Sequence, residues 1–275
     1  MSRAKIQSFR RHSVVVLMGL VIAAPIVYLI SGSLMSHGEI ISYPPKLFPA
    51  DPQWINFAHA MEYVSARTIF NTLVFVGGVL ILQLAVTLMA GFALARIPFR
   101  GRNALFLYFL VPIFVPTNLV LIPTFVVTFQ MNLLGTFAGM ILPVVAQASV
   151  GVLLFRQYFK TLPDGLFEAA RLDGAGWFRV FFAIAVPLAR PIIAAYSIVT
   201  FLAAWNMYLW PLLAGTGEAH RVLTVAIAPL AASTYSIMSP AIGFAAAVIA
   251  VAPVLLVFIV FQKWFTRGIV GTGLE

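Results

Sequence analysis

Apolar positions in this chain come in long blocks rather than as stripes on amphipathic helices. Six runs, at residues 14–34, 68–95, 103–129, 137–158, 191–213 and 240–264, are each roughly 20 residues or longer, the length a helix needs to cross a bilayer. Shorter polar segments separate them. The pattern predicts an all-α polytopic membrane protein with six transmembrane helices. Residues 35–67 read as an external loop, with prolines at 44, 45, 49 and 52 and the aromatic residues Trp54, Phe57 and Tyr63. Residues 214–239 form a second external segment that suits either contact with an outside partner or a plain connection. The first apolar run follows a basic stretch, as in a secretory signal, but it is long enough to span and no A-x-A cleavage site follows, so it reads as an uncleaved first span. After the sixth run the chain is expected to end in a short, flexible basic tail.

Composition sharpens this. With 62% hydrophobic and 9% charged residues and a mean hydropathy of +1.02, the chain cannot cover a soluble globule with a polar shell. The net charge of +9 does not point to nucleic acid once its distribution is counted. With the N-terminus inside, 14 of the 17 Lys and Arg residues lie on the cytoplasmic side, leaving Lys46, Arg67 and Arg221 outside. There is no cysteine, hence no disulfide and no thiolate metal site. No acidic residue falls inside an apolar run, and His12, His37, His59 and His220 all lie at run ends or in loops, so no proton relay is apparent. The sequence also lacks a GxxxxGK[ST] phosphate loop. It offers no catalytic or metal-binding constellation. Energy for any uphill transport would then have to come from outside this sequence.

The polar stretch at 161–190 is the most structured of the loops. It holds Asp164, Glu168 and Asp173 together with Arg171, Arg179 and Arg190, flanked on both sides by oil. Helical spacing resumes after Leu162-Pro-Asp-Gly165, with Ala169 and Ala170 keeping the helix slim. Gly174 and Gly176 interrupt it, and an apolar helical pattern restarts at Trp177 until Pro187 and Pro191 end or kink it. Helix, glycine bend, helix is the expectation, at the edge of a membrane where such charges meet water or another protein.

Within the spans, uncharged polarity and proline mark candidates for a solute pathway. Pro112, Pro116 and Pro123 surround Thr117 and Asn118, and each proline frees a carbonyl that must face protein or water. Pathway lining and packing kinks are both open readings. Asn206 is an amide in an apolar run, and Trp205 and Tyr208, three apart, fall on one helix face. They could stack on and hydrogen-bond a hydroxyl-rich solute, or anchor the span at the interface. Gln83, Thr87 and Gln147 are weaker candidates, since polar residues also bond neighbouring helices.

Glu168-Ala169-Ala170, three residues, Gly174, nine residues, Ile184, one residue, Val186-Pro187 resembles the EAA loop of the membrane subunits of bacterial ABC importers, with Val186 where the family usually has Leu. From about residue 68 the chain is similar to the type I importer permeases. Asn71-Thr72-Leu73, Ala93-Leu94-Ala95-Arg96, Arg156-Gln157-Tyr158-Phe159, Trp205-Asn206 with Tyr208-Leu209-Trp210-Pro211, and the ending from Phe261-Gln262 to Arg267-Gly268 resemble its carbohydrate-uptake, maltose-type branch. Around residues 155–174 and 205–213 it is most similar to the second permease subunit of glycerol-3-phosphate and glycerophosphodiester importers.

The resemblance implies a type I permease fold organised as residues 1–67 (tail, first span and external loop), a core at 68–265 carrying the coupling loop at 161–190, and a cytoplasmic tail at 266–275. It implies a bacterial inner-membrane location with both termini cytoplasmic. It further implies a second homologous permease, an ATPase dimer that binds the ATP and Mg, an external solute-binding protein, and a sugar or polyol phosphate as cargo. Glu168, Ala169, Ala170, Asp173 and Gly174 would couple to the ATPase; Asn206, Trp205, Tyr208, Asn118 and Gln83 are the candidate pathway residues. An ATP-independent channel and a multipass membrane enzyme are the competing classes.

Overall fold

The computed structural model describes residues 3–231 and 239–270, and all regular structure among them is helical. In chain order the helices are α1 (Arg3–Ser33), α2 (His37–Ile40), α3 (Ile55–Tyr63), α4 (Ala66–Arg96), α5 (Arg102–Leu110), α6 (Thr117–Gln130), α7 (Phe137–Ala146) and α8 (Ser149–Thr161). There follow α9 (Asp164–Leu172), α10 (Trp177–Val180), α11 (Val186–Leu188), α12 (Arg190–Trp205), α13 (Leu209–Ala214), α14 (Leu223–Ala231) and α15 (Pro240–Val270). Three stretches, His12–Ser33, Ala66–Arg96 and Pro240–Phe261, are long and apolar enough to cross a membrane unbroken. Three bent helix pairs are long and apolar enough when taken together, so the described residues hold three unbroken candidates and up to six if each bent pair is one span.

The breaks correct two expected spans. Residues 103–129 are not one kinked helix: Arg102–Phe114 and Thr117–Gln130 meet at 105°. Val115, held extended at φ −98° and ψ 118° ahead of Pro116, is where the helix stops, because the proline ring disfavours the helical region for the residue before it. Residues 191–213 are also divided: α12 ends at Trp205, and α13 starts only at Leu209. The fourth span bends by 49° between Ala146 and Ser149, and Trp177–Leu188 meets Arg190–Trp205 at 77°. The flexible tail expected from residue 266 is replaced as far as Val270 by a continuation of α15; residues 271–275 lie outside the described residues, as do 1–2 and 232–238, the end of the second external segment.

The chain divides into two compact units. The first comprises residues 1–65 and 226–253. Here Tyr28 of α1 meets Phe244 of α15 edge-on at 5.9 Å. The segment expected as an external loop is a built structure. Asn56, buried on α3, donates both amide protons to the carbonyls of Ser33 (3.0 Å) and Met35 (2.9 Å), satisfying acceptors left over where α1 ends. Ser36 and Glu39 form a capping box on α2. Glu39 also accepts from the Ala50 N–H at 2.9 Å and faces Lys46 at 3.5 Å, so one carboxylate ties two ends of the loop.

In the second unit, residues 66–225 and 254–275, α4 is the central post. A Cβ placed on Gly91 would lie 2.7 Å from Phe155 Cβ and 2.9 Å from the Arg156 backbone nitrogen, so α4 and α8 touch backbone to backbone. At its outer end, Asn71 donates to the carbonyls of Ala219 (3.0 Å) and Arg221 (3.1 Å), and the Leu223 N–H donates to the Thr72 hydroxyl (2.8 Å). At its inner end stands an aromatic core: Phe92, Phe155, Phe159, Phe167, Phe181 and Tyr196.

The loop clamp carries a pH dependence. The Ala50 and then the Ser36 backbone N–H hold the Glu39 carboxyl down from its ordinary 4.5 to about 2. A lowered carboxylate stabilises the fold fully above pH 4.5, and that contribution is lost as pH falls from 4.5 towards 2. Hydrogen exchange at the Ala50 amide, corrected for intrinsic rate, is expected to speed up across that window, and Glu39→Gln to show the faster exchange already at pH 7.

Candidate functional site

The loop at 161–190 folds as the helix, bend and helix that its residues predict, and the bend has a defined chemistry. The Gly174 N–H donates to the Arg171 carbonyl (3.1 Å) and the Ala175 N–H to the Ala170 carbonyl (2.9 Å), the paired bonds of a Schellman motif closing α9. Gly174 sits at φ +80°, a left-handed conformation that costs an L-residue about 1–2 kcal/mol. Gly176 is different: at φ −70° and ψ 160° it occupies extended backbone open to any residue. Arg171, in the last turn of α9, lies 4.5 Å over the Trp177 ring and so bridges the bend. Beyond it, residues Phe181–Ala185 form a π turn leading into α11.

What fixes this hairpin to the helices behind it is Arg96, the last residue of α4. Its side chain is only 9% exposed. Nε donates to the Phe159 carbonyl at 2.8 Å, Nη2 donates to the Leu162 carbonyl, and Nη1 pairs with Asp164 at the head of α9. The guanidinium also lies 4.3 Å over the Phe167 ring. One planar fork therefore joins the ends of α4 and α8 to the start of α9, and a cation against the last carbonyls of α8 also matches that helix's dipole. A second tie comes from Tyr158, whose hydroxyl donates to the Leu188 carbonyl at 2.6 Å. From sequence Arg96 counted toward the positive-inside balance and closed the Ala93-Leu94-Ala95-Arg96 piece of the resemblance; nothing local to it announces three partners more than 60 residues away.

The outward face of α9 is the opposite of this anchored one. Phe167 is buried, while Gly165, Glu168, Ala169 and Leu172, at i, i+3, i+4 and i+7, form an exposed stripe. Leu172 is 88% exposed, a large apolar side chain one helical turn from Glu168 on that stripe. Ala170 instead packs inward beside the aromatic core, and Asp173 caps the helix with its side chain exposed. Leu172 was missed in the sequence, although the spacing that finds it was available once α9 starts at Asp164.

The pathway candidates separate by where they lie and what they bond. Gln83 donates to the Val144 carbonyl at 3.4 Å, an interhelical bond. Asn206 donates to the Leu202 carbonyl of its own helix at 2.8 Å. Trp205 is buried and stacks on Phe201 at 5.4 Å, whereas Tyr208, beyond the end of α12, is 38% exposed; they do not share a helix face. Asn118 and Tyr208 do come together. With Thr117, Thr124, Gln147 and Trp210 they line a cavity of about 280 Å³, placed where the breaks of α5/α6, α7/α8 and α12/α13 converge. Thr87 is buried and donates back to the Gln83 carbonyl at 2.6 Å.

Replacing Arg96 by Ala leaves carbonyls of Phe159 and Leu162 without their donor, at a cost on the order of 1–3 kcal/mol for each such group. Arg96→Lys keeps a cation for Asp164 but cannot fork to both carbonyls. Both variants are expected to melt earlier in detergent than the parent, Ala more than Lys, with limited proteolysis shifted into residues 160–176.

Comparison with known proteins gives the family and the fold. Residues 85–271 fit the family described as "Binding-protein-dependent transport system inner membrane component". The sn-glycerol-3-phosphate transport system permease protein UgpE of Agrobacterium fabrum is 32% identical over 95% of both chains. The diacetylchitobiose uptake system permease protein NgcG of Streptomyces coelicolor is 36% identical over 96% of this chain and 89% of its own. In fold, a chain from the crystal structure of a bacterial ABC transporter involved in import of the acidic polysaccharide alginate superposes with a TM-score of 0.82, covering 96% of this chain and 99% of that one at 22% identity. The chain thus belongs to the binding-protein-dependent transport system inner membrane components, as an all-α permease subunit.

Proposed function

We propose that this chain forms one half of the translocation path of a sugar importer, taking solute from an external binding protein. A second, homologous permease completes the path. The cargo class follows the relatives, whose names give a sugar disaccharide and a polyol phosphate. Two ATPase copies sit on the cytoplasmic side and bind the ATP and Mg. The orientation is read from the basic residues: with the 161–190 loop inside, 14 of 17 Lys and Arg lie on its side and both termini are cytoplasmic.

The observation that carries the reading is the two-faced α9. Its inner face is tied through Arg96 and Phe167 to α4 and α8, and its outer stripe presents Glu168 and Leu172 to a partner. Glu168 pairs with a basic residue of the ATPase, Leu172 fills an apolar depression, and Ala169 keeps the approach close. Asp173 and Gly174 set the angle of the second helix, while Ala170 lets the hairpin close. When the ATPase dimer shuts on ATP, α9 is displaced. Because its ties reach α4, α8 and, through the aromatic core and Tyr158, α11 and α12, these move as a unit and switch the path between inward- and outward-facing. The opening and closing act on the cavity at the helix breaks, lined by Asn118 and Tyr208. Asn206, Trp205 and Gln83 stand off it and support that region through their own helices.

A multipass enzyme would need acids that converge. Here Asp164 is engaged by Arg96 while Glu168 faces outward and Asp173 lies at the bend, so the three serve different partners.

Removing one member of a desolvated interfacial charge pair costs about 2–5 kcal/mol, or roughly 30-fold or more in affinity. Glu168→Ala is expected to leave melting and membrane insertion unchanged while the ATPase is lost from the purified complex. Gly174→Pro should lose it as well by misplacing the second helix. Normal co-purification with normal transport-linked ATP hydrolysis in both variants would sink the docking assignment. As the chain has no cysteine, Leu172→Cys supplies a single thiol. It should react with a membrane-impermeant maleimide only from the cytoplasmic face.

A further inference from the structure

Polar side chains in the apolar helices of this subunit fall into two groups. Thr72, Thr87, Thr128 and Ser197 return their hydroxyl protons to carbonyls one turn back, and Gln83 spends its amide on the next helix. These groups are satisfied within the protein and ask nothing of a solute. Asn118, Gln147 and Tyr208 are exposed, and none has a side-chain hydrogen bond among the described residues. All three lie at helix breaks and open into the same cavity of about 280 Å³. Gln147 also lines two adjoining hollows of about 220 and 530 Å³, shared with Thr117 and Thr124 respectively, so the free polar groups follow one groove.

The chemistry of that groove is restricted. It offers two side-chain amides, the hydroxyls of Thr117, Thr124 and Tyr208, and the ring of Trp210, whose N–H is already taken by the Met140 carbonyl at 2.9 Å. Among the described residues, no Lys, Arg, His, Asp or Glu lines any of the three hollows. The first turn of α6, with no side-chain cap, adds backbone donors. A helix terminus amounts to about half a positive charge, against the nearly two negative charges of a phosphate monoester. Amides and hydroxyls, each able to donate and accept, match sugar hydroxyls and acetamido groups instead, and an exposed tyrosine ring offers a face for the C–H side of a pyranose.

Resting on the reading of this cavity as part of the translocation path, we infer that the solute handled here is an uncharged saccharide, exchanged between amides and hydroxyls, and not a phosphate ester or a uronate. The amides carry it past the breaks in three helices by trading equivalent hydrogen bonds.

The absence of native cysteine allows a direct test. Asn118→Cys, with Gln147→Cys as a second site, is placed in the complete importer with cysteine-free partner subunits. Each thiol is reacted with an anionic and a cationic methanethiosulfonate of similar size, in nucleotide-free and in ATP–vanadate-trapped complex. The rates should differ between the two nucleotide states, and the anionic-to-cationic ratio should stay within about threefold of that for a free thiol, less than the tenfold change that a local potential of about 0.7 kcal/mol per unit charge produces by acting oppositely on the two reagents. Rates that depend on nucleotide state but favour the anionic reagent tenfold or more overturn the saccharide assignment and leave the path intact. Rates indifferent to nucleotide state remove the cavity from the path, and the solute class with it.

Discussion

A guanidinium at the end of α4 ties the loop at 161–190 to the helices behind it. Arg96 reaches the Phe159 and Leu162 carbonyls and the Asp164 carboxylate at once, with Phe167 packed beneath it. Asp164 is 81% exposed, so the ion pair itself contributes little in water. The larger part comes from the carbonyls, which sit where α8 ends and have no donors of their own in the helix ladder. A charged donor in that place converts the frayed end of one helix into a joint between three.

Around that joint the packing is dense and aromatic. Phe92 contacts Phe159, Phe167, Trp177 and Phe181 with ring centroids 5.2–6.2 Å apart, and Phe155 meets Tyr196 at 5.2 Å. Gly91 brings α4 against the backbone of α8, and the Tyr196 hydroxyl fills the space that a side chain on Gly151 would need. Interiors packed in this way move as pieces rather than bending continuously. A push delivered to α9 therefore has somewhere to go, and the same physics leaves the compliant points at the breaks around Pro116, Gln147 and Asn206, where helical bonding is already interrupted.

Those breaks also explain the polarity of the spans. A carbonyl or amide in an apolar layer must find a partner, and most here do so within one turn or across one helix contact. Where a break prevents this, the polar group faces the cavity. Trp205 and Tyr208 show how much depends on it: they share a face only if the helix continues, and stopping it at Trp205 buries one ring and sends the other to the groove.

The all-helical class, the helix–glycine–helix loop and the family were all legible in the residues, because hydrophobic run length, glycine at a required left-handed turn and the spacing from Glu168 to Pro187 are local properties of the chain. Family and fold comparisons agree with that part. The role of Arg96, the outward stripe ending in Leu172 and the sorting of Asn118 and Tyr208 from Gln83 and Asn206 came only from the tertiary structure. Each depends on which distant carbonyl or ring a side chain meets, and a partner 60 residues away leaves no trace in local spacing. An amide in an apolar run reads the same whether it bonds the next helix or faces a solute; packing alone separates the two.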